Sequence, residues 1–239
     1  MADQYQAFSA WIRRIEAVTK SLRDHYDSLL AAHSDWEVGP DARLAVFSKP
    51  ENVLNSIALA MDYESNALFN AQWWGKRHPG ITRKDAQRLA GQFDVLMKMC
   101  LVNFLYCAFE SSFRLYVRAI DANACGQGRG NFKPIYDWLF KRLSCRQWTS
   151  LVDFWRLIRN TVHNNGVYWH PGSKEEEVAF EGRKYSFRNG QPVECTWEAA
   201  VRMAELLPDM LQDVTTAPEL IAIPQIIDPA GQEMGSEGP

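Results

Sequence analysis

The sequence predicts a mainly α-helical bundle with a small β-hairpin inserted before the last helix. Three observations carry this. Apolar residues recur at spacings of three and four along six stretches. Alternation bounded by Gly-containing turns occurs once, between residues 176 and 195. No repeat and no long linker divides the chain, so one domain is expected over residues 1–214. The Pro- and Gly-rich tail, 215–239, is expected to be disordered.

The elements follow in order. Phe8, Trp11, Ile12, Ile15, Val18, Leu22, Tyr26, Leu29 and Leu30 set a helix over residues 3–33. "RLAVF" (43–47) suggests a short strand. Ser48 and Glu51 form a capping-box pattern with Pro50 in the first turn, opening a helix to about residue 72. "WWGKRHPG" (73–80) is expected to be a loop anchored by Trp73 and Trp74. Thr82 caps a long helix to about Ala122, apolar in its second half and expected at the centre of the fold. "GQGRG" (126–130) lacks the strand and the Lys-Ser/Thr of a phosphate loop and is expected to be a turn. Helices are expected over 135–143 and 145–163, then hairpin turns at Glu181-Gly182 and Asn189-Gly190. Thr196 caps a last helix through about Asp213.

Composition bounds the function. The net charge of −3 provides no global basic field, so a nucleic-acid site has to be a local patch. Cys100, Cys107, Cys125, Cys145 and Cys195 form no CxxC pair and no zinc spacing, which suits a reducing cytosol. The N-terminus is too polar for a signal peptide. The longest apolar run, 99–109, contains Asn103 and is too short to cross a bilayer. A cytoplasmic protein is expected, with no membrane partner, cofactor or metal.

The stretch "RNTVHNNGVY" (159–168) carries the candidate chemistry. On a helical wheel Leu151, Phe154, Leu157, Ile158, Thr161 and Val162 form an apolar face. Asp153, Arg156, Arg159, Asn160 and His163 form the polar one. Arg159 and His163 are four residues apart, so their Cβ atoms lie about 5–6 Å from one another, within reach of one phosphate-sized anion. The plainer account is a helix stop at Asn164-Asn165-Gly166, with His163 favoured by the helix dipole.

"RLIRNTVHNNGVY" resembles the motif of the HEPN superfamily, in which four to six residues separate an Arg, usually followed by a polar residue, from a His. "CAFESSFRLYVR" (107–118) is similar to the helix behind that motif, and the resemblance spans about 84–213 in pattern. Two departures stand out. Only three residues separate Arg159 from His163, and Arg156, separated from it by six, lacks the following Asn. The resemblance implies a HEPN-like bundle and a metal-independent endoribonuclease, a toxin or an effector of antiviral defence. It also implies a homodimer in which two motif faces meet, with RNA as substrate and an antitoxin or other protein as partner. Within it His163 is the general base, and Arg159 or Arg156 stabilises phosphoryl charge. Asn160 or Asn164 orients them, and Tyr168 lines a base pocket or covers the core. Glu110 pairs with a motif Arg or with Arg114. A non-catalytic HEPN-like module that binds a nucleotide or a protein is the alternative.

Overall fold

Side-chain caps set four of the helix starts among the described residues. The computed structural model describes residues 2–230. Helix α1 spans Ala2–Ala32. Asp41 caps α2 (Ala42–Tyr63), its carboxylate accepting from the Arg43 backbone N–H at 2.9 Å. Asn70 caps α3 (Ala71–Arg77), and Thr82 caps α4 (Arg83–Ile120). Helices α5 (Phe132–Arg142) and α6 (Thr149–His163) follow. Strands β1 (Glu176–Phe180) and β2 (Arg183–Phe187) pair antiparallel, with Glu181 and Gly182 both at positive φ in the connecting turn. Thr196 caps α7 (Trp197–Thr215), and α8 (Pro218–Ile221) is the last helix among the described residues.

Helix α4 is central, packing on α2, α5, α6 and α7. Leu101, Leu105, Phe109 and Phe113 are fully buried along it. Among the described residues it is the one helix long and apolar enough to cross a membrane. Part of its surface stays uncovered: Leu96 is 53% and Phe104 56% exposed.

Four expectations are corrected. Residues 43–47 are the first turns of α2, not a strand, because Asp41 supplies the cap. The pattern at Ser48 and Glu51 is therefore mid-helix, and Glu51 instead pairs with Arg23. Much of the 73–80 loop is helix α3, although Trp74 does anchor it, donating from Nε1 to the Leu68 carbonyl at 2.7 Å. The tail is ordered as far as it is described. Buried Arg43 spends all five N–H groups, two on Asp41 and the others on the carbonyls of Leu220, Ile223 and Pro224. Its guanidinium also lies 3.7 Å from the Trp36 ring centroid. Ile226 and Asp228 are buried beside it. Residues 231–239 of the expected disordered tail lie outside the described residues.

A π-helical turn, Glu64–Leu68, closes α2 and carries an anomaly. Glu64 is 0% exposed, yet neither carboxyl oxygen has a hydrogen-bond partner. Burial, and then the negative charge of Asp94, push its pKa up from 4.5 to about 8. The native state thus keeps a proton that the unfolded chain releases near pH 4.5. Stability should fall as pH rises from about 4.5, with the loss complete above about 8. Denaturant titrations are expected to show Glu64→Gln flattening this slope, with a gain of roughly 2–4 kcal/mol over wild type at pH 9.

Candidate functional site

The polar face of α6 is held in place from both sides. Inward, Phe154, Trp155, Leu157 and Ile158 are buried, and Trp155 Nε1 donates to the Val102 carbonyl of α4 at 2.9 Å. Phe154 stacks on Phe180 with centroids 4.5 Å apart and also meets Tyr185 at 4.5 Å, which seats the hairpin on α6. At its end α6 turns through a paired C-cap. Gly166 N–H donates to the Thr161 carbonyl at 2.8 Å, and Asn165 N–H to that of Val162 at 3.2 Å. Asn165 takes the left-handed conformation, φ 55°. The chain then pairs with 190–193, where Tyr168 N–H donates to the Gln191 carbonyl at 2.9 Å.

The two candidate arginines part company. Arg156 donates to Glu176 at 2.6 Å and to the Tyr136 hydroxyl at 3.3 Å. Tyr136 in turn donates to Asp153. Tyr168 is buried, and its hydroxyl donates to Glu176 at 2.9 Å. Burial opposes ionisation of Glu176, but the bonds from Arg156 and Tyr168 hold its pKa below the usual carboxylate value. Arg156 is thus an ion-paired tie between α6 and β1.

Arg159 has no such partner. Its Nε is buried without an acceptor, and Nη1 reaches Asn160 Oδ1 only at 3.4 Å. The guanidinium lies 5.5 Å from the centroid of the Tyr106 ring, and its charge acts on Cys107. It also acts on His163, which is exposed at the end of α6. Partial desolvation, then the charge of Arg159, lower the His163 pKa below its ordinary 6.5. At pH 7 the imidazole is therefore mainly neutral, the form a general base needs.

The supporting residues take quieter roles. Glu110 binds Arg114, its neighbour one turn on, at 2.6 Å, and neither motif arginine. Asn164 Nδ2 donates to the Asn160 carbonyl at 3.0 Å, tying off the helix end. Tyr168 is buried against the core and also lines the adjoining cleft, whereas Trp169 is 56% exposed. Beside Arg159 opens a cleft of about 800 Å³ whose lining includes Arg114, Lys133, Lys174, His170, Asn131 and Trp169. His163 is not among its lining residues. Glu176 and Lys133 are the site residues that sequence reasoning missed. The acidic run 175–177 was the only trace of the first. Among the described residues no group of three or more His, Cys, Asp or Glu side chains is placed to hold a metal ion.

Compared with family models, with curated proteins and with solved structures, the chain matches none.

The division between the arginines is measurable. Arg156→Ala strands a half-buried carboxylate and is expected to cost about 2–3 kcal/mol in denaturant unfolding. Arg159→Ala removes a poorly satisfied donor set and is expected to change stability by less than about 1 kcal/mol.

Proposed function

We propose that the protein is a HEPN-like endoribonuclease that cleaves RNA without a metal ion, as an antiviral-defence or toxin effector. The observation that carries this reading is the Arg159–His163 pair. It combines an under-satisfied guanidinium with a neutral imidazole at an exposed helix end. His163 takes the proton from an RNA 2′-OH, and the resulting alkoxide attacks the adjacent phosphorus. The P–O5′ bond breaks and the leaving oxygen takes a proton from water, giving a 2′,3′-cyclic phosphate and a 5′-hydroxyl. Arg159 offsets charge on the phosphoryl oxygens, which accept the N–H groups the fold leaves unused. The nucleophile belongs to the substrate, so the chemistry does not call for a metal.

A homodimer through the motif face fits the exposed apolar strip of α4. Leu96 and Phe104 are bare, and Cys107, within reach of the Arg159 charge, continues the same strip. Two copies meeting there bring two Arg159–His163 pairs into one cleft. The alternative, a non-catalytic module that binds a nucleotide, is favoured by one observation. The cleft of about 800 Å³, lined by charges of both signs, has Arg159 on its wall but leaves His163 outside.

The two readings separate in one experiment. Purified protein with single-stranded RNA in EDTA is expected to give 2′,3′-cyclic ends. His163→Ala and Arg159→Ala are each expected to lose about 100-fold or more, whereas folded Arg156→Ala loses less than about tenfold. Intact RNA that is bound and protects the protein from unfolding supports the module instead. Cleavage unchanged by His163→Ala removes the ribonuclease reading.

A further inference from the structure

A second cavity, of about 810 Å³, shares no lining residue with the polar cleft. It lies among α1, α3, the first turns of α4 and the start of α7. Small residues of α4 make the room: Ala86, Ala90 and Gly91 line it, and a Cβ on Gly91 would meet nothing within 4 Å. Trp11, Trp74 and Trp197 supply aromatic surface, the first and last stacked at 5.8 Å and 24°. Asp94 lines one end, where it accepts from Trp197 Nε1 at 2.6 Å. Arg83, exposed in the first turn of α4, lines the other end, about 16 Å away along the helix.

A second observation points to the charge of the occupant. Glu64, fully buried, has two carboxyl oxygens with no hydrogen-bond partner, and the charge of Asp94 acts on it. Leu68 and Phe69, from the same turn and just after it, line the cavity. Glu64 is thus held as the neutral acid by burial and by the negative field of Asp94, which is the one carboxylate among the described residues that line the cavity. Indole faces and carboxylates both attract positive charge, and both do so more strongly away from water. An anion there meets Asp94 unfavourably, and a neutral hydrocarbon leaves the Asp94 charge unanswered.

We propose that this cavity binds an organic ammonium ion with an aromatic or aliphatic body. The cation lies between the indole rings and the Asp94 carboxylate, and the body lies along Ala86, Ala90 and Gly91. The volume suits a drug-sized molecule, and an apolar lining with few convergent polar groups is what such sites share. The proposal is independent of the Arg159–His163 pair.

Isothermal titration calorimetry with three probes of one shape tests it: phenylbutylammonium, phenylbutanol and phenylbutyrate. The ammonium is expected to bind saturably and at least about tenfold more tightly than the alcohol, a difference of about 1.4 kcal/mol, with the carboxylate weakest. Asp94→Asn, whose amide oxygen still accepts from Trp197, is expected to bring the ammonium down to the affinity of the alcohol. Gly91→Leu fills the groove and is expected to abolish binding of all three, with helical circular dichroism unchanged. Gly75→Leu, also in open space on the cavity wall, serves if Gly91→Leu does not fold. No saturable binding of the ammonium overturns the proposal. So does equal or tighter binding of either other probe, a preference that survives Asp94→Asn, or binding untouched by the filling variants.

Discussion

The ion pair between Arg156 and Glu176 decides what the rest of the site can be. It joins the middle of α6 to the first residue of β1, and it consumes one of the two arginines on the polar face. Tyr168 completes the tie from the segment between them. With the hairpin fixed on Phe154 through Phe180 and Tyr185, the chain leaving α6 runs back beside residues 190–193. The C-terminal turn of α6 is left facing outward. Arg159 and His163 stand there because the preceding turn is already spoken for.

Electrostatics then separates fold from chemistry. Arg43 and Arg156 are both enclosed by acceptors, and each closes a link between distant parts of the chain. Arg159 is enclosed by an aromatic ring and a thiol instead, groups that shield it from water without neutralising it. A cation held that way keeps its affinity for an anion from outside. It also disfavours a proton on His163. Lys133, Lys174 and Arg114 line the same cleft, but Glu110, Asp137, Glu175 and Glu176 line it too, so the affinity for an anion rests on Arg159 itself.

Much of the fold was legible from caps and periodicity. Thr82 and Thr196 begin the helices they were expected to begin, and Asn165-Gly166 ends α6. Glu181-Gly182 makes the hairpin turn. Local pattern misled where a tertiary contact outweighed it. "RLAVF" has the composition of a strand, but Asp41 caps it as helix and Arg43 is drawn inside by carbonyls about 180 residues away. Nothing local marks that bond, and the same bond orders a tail that composition reads as disordered. The site was half legible. The wheel put Arg156, Arg159 and His163 on one face, but the choice between the arginines depends on Glu176, twenty residues on in a different element.

The proposed activity requires that partial desolvation, with the charge of Arg159 beside it, keep His163 neutral so that it can act as the base on RNA. The direct measurement sets two quantities side by side: the His163 titration followed by NMR, and the single-turnover pH–rate profile of RNA cleavage in EDTA. The account requires the rate to rise tenfold per pH unit and level off at the pKa of His163, below 6.5. Both inflections should move upward together in Arg159→Ala. A profile with no inflection at the His163 pKa, or one that stays put when that pKa moves, contradicts it.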